Sequence, residues 1–244
     1  MKTGSLITLM FILLVSSLAF SQSIGISAGY GSLNMNNVNK DMEDFQKLFE
    51  DQGAVTSSPE EISGGIFYEG NIKYSINNVN LGILGDYISS SGSFSYEDNS
   101  GSFNQNYDVS TIEVLLLGEL LIPIENSSFQ PFIQLAGGIG FATAERTIDV
   151  AVYEDPSYNV SAKNSVDGNY FSGRIKAGVG YVLQNIIIEI AGGYRIANAG
   201  ELKGDYTVNG TTLENTTVNN ITNNVVIEFD YSGFIVTAGI SYEF

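Results

Sequence analysis

The 244-residue sequence predicts an all-β protein, an eight-stranded antiparallel up-and-down transmembrane β-barrel. Two observations lead to this prediction. Eight stretches alternate apolar and polar residues with a period of two, which is the pattern of a β-strand with two different faces. The connections between these stretches are alternately long and short, and a transmembrane β-barrel likewise has short turns at one end and long loops at the other.

The first 21 residues precede the strands and have the parts of a secretory signal peptide. A basic residue near the start is followed by an apolar run over residues 6–15 and then by small residues, Ala19 and Ser21, at the two positions that a signal peptidase reads. We therefore predict export with cleavage near Ser21/Gln22, which leaves residues 22–244 as the barrel domain. A membrane-anchoring helix is the alternative, but the apolar run is short for a bilayer span.

Each predicted strand carries apolar residues at every second position, with polar or small residues between them. The strands are residues 24–33, 65–76, 79–89, 111–122, 129–143, 170–183, 186–197 and 232–244. A strand of about 9–11 residues crosses a bilayer when it is tilted, and these stretches are of that length. A soluble β-sandwich would alternate too, but its outer face would be dense in Lys, Thr and Glu. Here one face is apolar and the other is polar or rich in Gly.

The connections fix the orientation of the predicted barrel. The short ones are residues 77–78, 123–128 and 184–185, and the long polar ones are residues 33–63, 90–108, 145–168 and 199–229. Short turns face the periplasm and long loops face outward in such barrels, and an even number of strands places both termini on the periplasmic side.

Aromatic residues lie near the strand ends, as in the two aromatic girdles of membrane barrels. The periplasmic girdle is predicted to contain Tyr74, Phe129, Tyr181 and Tyr242. The outer girdle is predicted to contain Tyr87, Phe141, Phe171, Tyr194 and Phe234.

Two stretches and the end of the chain resemble a known family. FQPFIQLAGGIGFATA (129–144) resembles the fifth strand, and GRIKAGVGYVLQNIIIEIAGGYRI (173–196) the sixth-to-seventh hairpin, of small eight-stranded outer-membrane barrels. These include the outer membrane protein A transmembrane domain and the opacity-protein, OmpX-like and OmpW-like families. The final ISYEF resembles their C-terminal assembly signal, with Tyr242 and Phe244 as its aromatic residues. The resemblance implies the outer membrane of a Gram-negative bacterium, with its lipid and the barrel-assembly machinery as partners.

Composition excludes several functions. The 27 acidic residues outnumber the 10 basic ones, which argues against nucleic acid as a partner. The chain has no His and no Cys, so His-dependent catalytic triads and zinc sites built on these residues are impossible. The enzymes known among small outer-membrane barrels use a catalytic His. We therefore expect no enzyme activity, no catalytic or metal-binding residues and no cofactor.

The inward faces of the predicted strands carry charges that we expect to pair in the lumen. The predicted upper network contains Glu69, Asp86, Glu113, Arg174, Lys176 and Arg195, and Lys73, Glu119 and Glu189 fall in a lower layer. A turn at residues 184–185 places Arg174 opposite Arg195, and opposed like charges need acids nearby. The network would then plug the lumen, although the Arg pair could instead hold an anionic ligand.

The first long loop contains a predicted helix over residues 39–53. Met42, Phe45, Leu48 and Phe49 recur at helical spacing; Asn39 or Asp41 could cap its start, and Gly53 could end it. The helix could be a lid or a docking face, or could simply bury these side chains on the barrel rim, which we favour. The Asn-rich and Thr-rich segment in the fourth long loop, around Asn209 and Asn215, is expected to be flexible surface loop.

These observations leave two functions open. The first is a structural or surface-interaction barrel, with a lumen filled by side chains and long loops that meet an extracellular partner the sequence does not identify. The alternative is a narrow channel for small apolar solutes, as in OmpW-like transport. Eight strands enclose a space that side chains can fill, so we favour the first, as a monomer.

Overall fold

The computed structural model describes residues 22–220 and 222–244, so the predicted signal peptide lies outside the described residues. The strands are β1 (Gln22–Ser32), β2 (Gly64–Ile76), β3 (Val79–Glu97), β4 (Gly101–Leu121), β5 (Phe129–Val152), β6 (Val160–Leu183), β7 (Ile186–Ile196), β8 (Asn198–Glu201), β9 (Lys203–Val208), β10 (Thr211–Thr217), β11 (Glu228–Asp230) and β12 (Gly233–Glu243). The helices are α1 (Asn36–Asp51) and a 3-10 turn (Pro156–Tyr158).

Eight of these strands form a closed antiparallel ring, which confirms the predicted fold class. The ring runs from β1 through β7 in chain order and closes through β12, which pairs with both β7 and β1. Closure leaves no open sheet edge in the membrane-spanning part of these strands, and a bilayer admits a sheet only in that form.

The short turns lie where they were predicted. Ile76 pairs with Val79 across one two-residue turn, and Leu183 pairs with Ile186 across another. Asn77 and Gln184, the first residues of these turns, have φ values of 55° and 57°. Tight hairpins favour this left-handed conformation because its twist matches that of the strands.

The outside of the ring is an apolar belt bounded by aromatic side chains. All nine predicted girdle residues face outward and are exposed or half-buried. Phe129 lies 5.1 Å from Tyr181 at the periplasmic end, and Tyr194 lies 5.0 Å from Phe234 at the outer end, as measured between ring centroids. Aliphatic side chains fill the outward positions between the girdles, so the exterior is that of a lipid-facing wall.

The prediction that residues 90–108 and 145–168 are loops is wrong. The first is a continuation of β3 and β4, and the second is a continuation of β5 and β6. Their Ser-rich and Asn-rich composition suggested loops, but cross-strand pairing and inward apolar residues decide strand formation more than propensity does. From Phe141 in the outer girdle, β5 continues to Val152, about 35 Å along the strand at the usual rise.

The first and fourth long loops together form a cap, defined here as residues 33–63 and 198–231, above the outer end of the ring. The first contributes α1, and the fourth contributes β8 to β11. The β9–β10 hairpin pairs with the upper part of β6, so the segment around Asn209 and Asn215 is a hairpin where flexible loop was expected. Leu202, Val218 and Phe229 are buried in one core with the upper strands.

Helix α1 begins earlier than predicted. Met35 precedes it without a side-chain capping bond, whereas Asn39 and Asp41, the predicted caps, lie inside the helix. The predicted end is confirmed: Gly53 follows the last turn with φ 89°, and its N–H donates to the carbonyl of Glu50. Within the described ranges, no helix is long and apolar enough to cross a membrane.

Candidate functional site: the polar layers of the barrel lumen

The lower layer lies in the periplasmic half of the lumen and is centred on Glu119 of β4. Lys73 of β2 places its Nζ 2.9 and 3.0 Å from the two carboxylate oxygens, and 3.4 Å from Oε1 of Glu189 on β7. The side-chain amides of Asn80 and Gln134 also donate to Glu119, at 2.8 and 3.1 Å. A buried carboxylate needs such a complete set of donors.

The upper layer links four of the six residues predicted for the lumen network. Arg174 of β6 places Nη2 2.8 Å from Oδ2 of Asp86 on β3. Its Nη1 lies 3.1 Å from Oε2 of Glu69 on β2, and Lys176 Nζ lies 2.8 Å from the same oxygen. The order Asp86–Arg174–Glu69–Lys176 is therefore a continuous chain of alternating charge across the lumen.

Arg195 and Glu113, the other two residues of that network, have different partners. Arg174 and Arg195 are opposed in the register, as the turn predicts, but Arg195 donates from Nε and Nη2 to the backbone carbonyl of Tyr231 in the cap. Glu113 accepts a hydrogen bond of 2.7 Å from the hydroxyl of Tyr170. The expectation that all six residues pair as ions was thus too simple, because the cap supplies an acceptor that strand positions alone do not reveal.

Phe67 of β2 explains how the two guanidinium groups tolerate each other. The centroid of its ring lies 5.6 Å from Cζ of Arg174 and 5.8 Å from Cζ of Arg195. The face of an aromatic ring attracts a cation, and more strongly where water is excluded. The Phe67 ring therefore adds to the compensation of the two positive charges that Glu69 and Asp86 provide.

Apolar side chains separate the polar layers. Leu84, Leu115 and Leu117 form a buried cluster between the lower and upper layers. Above the upper layer, Ile88 and Ile235 are buried beside Phe67 in the core that continues into the cap. All of these side chains project inward, so the eight-stranded interior is filled by side chains, as its size permits.

A third polar group, which we call the latch, joins α1 to the upper strands and was not predicted. Asp41 of α1 accepts hydrogen bonds of 2.7 Å from both Gln105 and Tyr107 of β4. Arg146 of β5 lies 3.4 Å from the same carboxylate oxygen and also donates to Asn164. All five side chains of the latch, those of Asp41, Gln105, Tyr107, Arg146 and Asn164, are buried.

Burial raises the pKa of Tyr107 well above its usual value, although the nearby Arg146 opposes this. Tyr107 therefore remains a neutral hydroxyl that donates to Asp41. The sequence did hold a signal for the latch: Asp41 lies on the apolar face of α1, beside Val38, Met42 and Phe45. An acid on the buried face of a helix needs a partner.

The predicted C-terminal assembly signal lies on the closing strand. Tyr242 faces outward in the periplasmic girdle, and its ring lies 5.1 Å from that of Phe244. The N–H of Phe244 donates to the carbonyl of Gln22, which ties the ends of β12 and β1 together. Among the described residues, no group of three or more His, Cys, Asp or Glu side chains is placed to hold a metal ion.

The closed ring, the apolar outer wall with its girdles and the polar interior define the class: the chain is a transmembrane β-barrel protein. No protein-family profile and no curated protein sequence matches it. Among solved structures it is similar to Neisserial surface protein A, at 12% identity and TM-score 0.40, over 92% of this chain and 97% of that chain.

Two further structures are similar over nearly their whole length. One is a major outer membrane protein from Thermus thermophilus, at 10% identity and TM-score 0.44, over 93% of this chain and 100% of that chain. The other is the outer membrane protease OmpT from Escherichia coli, at 13% identity and TM-score 0.33, over 93% of this chain and 99% of that chain. Likeness at these identities transfers no activity to this chain.

Proposed function

We propose that this protein is a closed, non-enzymatic barrel that holds the cap at the cell surface for interaction with an extracellular partner. The observation behind the proposal is the filled lumen, in which polar and apolar layers alternate from the periplasmic end up to α1. A solute passing through would have to break several buried ion pairs, each of which is costly to separate.

The position of α1 favours display over transport. Phe45 and Phe49 pack against Phe103 of β4, with ring centroids 4.8 and 5.1 Å apart. The latch fixes the same helix from below through Asp41. The cap and the upper strands therefore share one buried core. Such packing is expected of a rigid recognition surface, whereas a mobile gate would be packed more loosely. The absence of His removes the usual catalytic base from any enzymatic alternative.

Conductance across a planar lipid bilayer tests the proposal. The purified protein, reconstituted at neutral pH, should add no resolved current steps, whereas an open porin in the same bilayer gives large ones. Liposomes that contain the protein should take up a small apolar solute no faster than liposomes without it. Steady single-channel conductance, or faster uptake of the solute, would support the narrow-channel alternative and refute the closed barrel.

A further inference from the structure

Two depressions in the outer face of the barrel wall meet at Tyr87, a residue of the outer girdle. Below Tyr87, a groove of about 690 Å³ lies in the apolar belt, across strands β12, β1, β2, β3 and β4. Above Tyr87, a recess of about 580 Å³ lies at the foot of the outer hairpins. Because Tyr87 lines both, a single long molecule can extend from one into the other. The proposed display function depends on the cap and uses neither depression.

The floor of the groove consists of small residues, and its sides consist of large apolar ones. Gly70 of β2 and Gly85 of β3 are paired and face outward. A Cβ added to Gly70 would meet no atom within 4 Å, and one added to Gly85 would meet only the carbonyl oxygen of Glu113, at 3.8 Å. The fold itself therefore has room for side chains here, and their absence leaves a space that lipid fills. The outward side chains around it are Ile26, Tyr68, Tyr87, Ile112, Val114 and Ile240.

The groove suits a hydrocarbon chain. A second depression, of about 620 Å³, shares Ile26, Gly70 and Gly85 with it and continues to Tyr74 in the periplasmic girdle. A lipid chain extends over one leaflet, which is half of a hydrocarbon core about 30 Å thick, and the two depressions together reach from one girdle to the other. Apolar surface offers such a chain no directional contact, so the groove alone does not choose among lipids.

The recess, by contrast, is polar. Hydroxyl groups line most of it, those of Ser89, Ser91, Ser110, Thr143 and Ser165. These side chains are shorter than the aromatic rings of the girdle below them, which leaves room for a ligand. The recess lies directly above the girdle, at the level where lipid head groups begin. A head group in the recess is therefore next to its own chain in the groove.

Two carboxylates in the recess determine which head group fits. Asp108 and Glu145 are opposed on β4 and β5, and opposed like charges destabilise a sheet. Lys163 lies 2.7 Å from Glu145 and compensates its charge, whereas the exposed side chain of Asp108 makes no hydrogen bond or ion pair with the residues that the structure describes. An ionised carboxylate only accepts hydrogen bonds, and it repels a phosphate. The recess therefore favours a head group that offers hydroxyl donors and carries no phosphate.

We propose that the groove and the recess together bind one glycolipid, whose chain lies on Gly70 and Gly85 and whose uncharged sugar lies in the recess. The sugar hydroxyls donate to Asp108 and exchange hydrogen bonds with the serine hydroxyls. The ring of Tyr87 offers an apolar face to the C–H side of the sugar and a hydroxyl at its rim. Close packing of the chain on the glycine floor contributes affinity, and the hydrogen bonds of the sugar contribute selectivity.

Native mass spectrometry of the purified full-length barrel tests this site. The protein is held in a polyoxyethylene detergent, which has no sugar head group to compete. Glucosyl-diacylglycerol, phosphatidylethanolamine and phosphatidylglycerol with the same chains are added together at equal concentrations. The glucosyl lipid should form a one-to-one adduct about tenfold more abundant than that of either phospholipid, the factor expected of one hydrogen bond to a charged acceptor. Free methyl glucoside at the same concentration should not displace it, because the sugar alone lacks the contacts of the groove.

Two pairs of variants examine the recess and the groove separately. Asp108→Ala should reduce the preference for the glucosyl lipid about tenfold, whereas Asp149→Ala, the same change on an exposed residue higher on the outer face, should leave it unchanged. Gly85→Leu fills the groove and should lower the adducts of all three lipids. Gly118→Leu adds the same side chain to an outward glycine of β4 outside the groove and should not lower them. Heat-dependent gel migration like that of the wild type would show that each variant folds.

The outcomes distinguish a glycolipid site from unspecific adhesion of lipid. A preference for the glucosyl lipid that Asp108→Ala removes, together with loss of all adducts in Gly85→Leu, supports the site. Equal adducts of the three lipids, a preference for a phospholipid, displacement by methyl glucoside, or equal changes in a variant and its control would overturn it. None of these measurements concerns conductance, so the closed-barrel proposal is tested separately.

Discussion

Replacement of Asp41 by Ala is the sharpest test of how the cap is held. The carboxylate accepts from Gln105 and Tyr107, each at 2.7 Å, and lies 3.4 Å from Nη1 of Arg146. In Asp41→Ala, three buried donors lose this acceptor and Arg146 loses its counter-charge. We expect α1 to open from the mouth of the barrel more often, while the ring of strands stays folded.

The expected size of the effect follows from what remains in place. Removing one partner of a buried ion pair costs about 3–5 kcal/mol. Arg146 keeps hydrogen bonds to the carbonyl of Asn219 at 2.8 Å and to Asn164 at 3.2 Å, so the cost should lie near the lower end, at about 3 kcal/mol. A loss of that size is roughly a hundredfold change in an equilibrium constant.

Native-state hydrogen exchange measures this directly. Protection of the α1 amides should fall about a hundredfold, while amides in the membrane-spanning part of β4 keep theirs. Glu43→Ala is the control on the same helix, because Glu43 is 44% exposed and lies 3.9 Å from Lys47; it should cost less than about 0.5 kcal/mol. Equal effects of the two substitutions, or an unchanged cost of Asp41→Ala in an Arg146→Met background, would refute the latch.

Two further predictions concern the wall and the outer hairpins. Ile190→Lys places a charge at mid-depth on the lipid face and should lower the free energy of unfolding in lipid vesicles by about 2–4 kcal/mol, whereas Ile196→Lys, at the outer interface, should cost about 0–1 kcal/mol; equal costs in urea titrations would show that the depth assignment is wrong. At the β3–β4 tip, the pKa of Asp98 is lowered to about 2 by several hydrogen bonds, of which the bond from the Ser100 hydroxyl has the largest effect. Stabilisation of the tip by this carboxylate should therefore be complete above about pH 3.9, the ordinary value for Asp, and should be lost as the pH falls towards 2. In an NMR titration Ser100→Ala should move the Asp98 midpoint upward, and an unmoved midpoint would contradict this assignment.

The ring could be predicted from the sequence because the patterns that specify its strands and short turns are local. Alternation identifies each strand and its outward face, and a two-residue turn at Gln184 and Asn185 sets the register that opposes Arg174 and Arg195. A slip of one residue would have exchanged the two faces, and the exposed Ile190 and buried Arg195 exclude it.

Apart from its helix, the cap could not be predicted, because its contacts are distant in sequence. Asp41 meets Arg146 across 105 residues, and Arg195 meets a carbonyl supplied by Tyr231, in a segment whose composition indicated loop. Alternation above the outer girdle was present, with Phe103 and Tyr107 facing inward on β4, but Ser and Asn between such residues also occur in turns. A strand and a loop of this composition differ only in whether a neighbouring strand pairs with them, and the local sequence does not identify that neighbour.

The seam between β1 and β12 has a consequence for the lifetime of the folded barrel. Neighbouring strands elsewhere in the ring follow one another in the chain or are joined through the cap, whereas this pair joins residues more than 200 positions apart, such as Ala28 and Ala238. Contacts of such long range form late in folding, and interactions absent from the transition state govern how fast a protein opens. The two strands approach so closely that a Cβ added to Gly29 would fall 1.8 Å from the carbonyl oxygen of Val236. Substitutions along this line should therefore shorten the half-life of the closed barrel and leave the rate at which its hairpins form nearly unchanged.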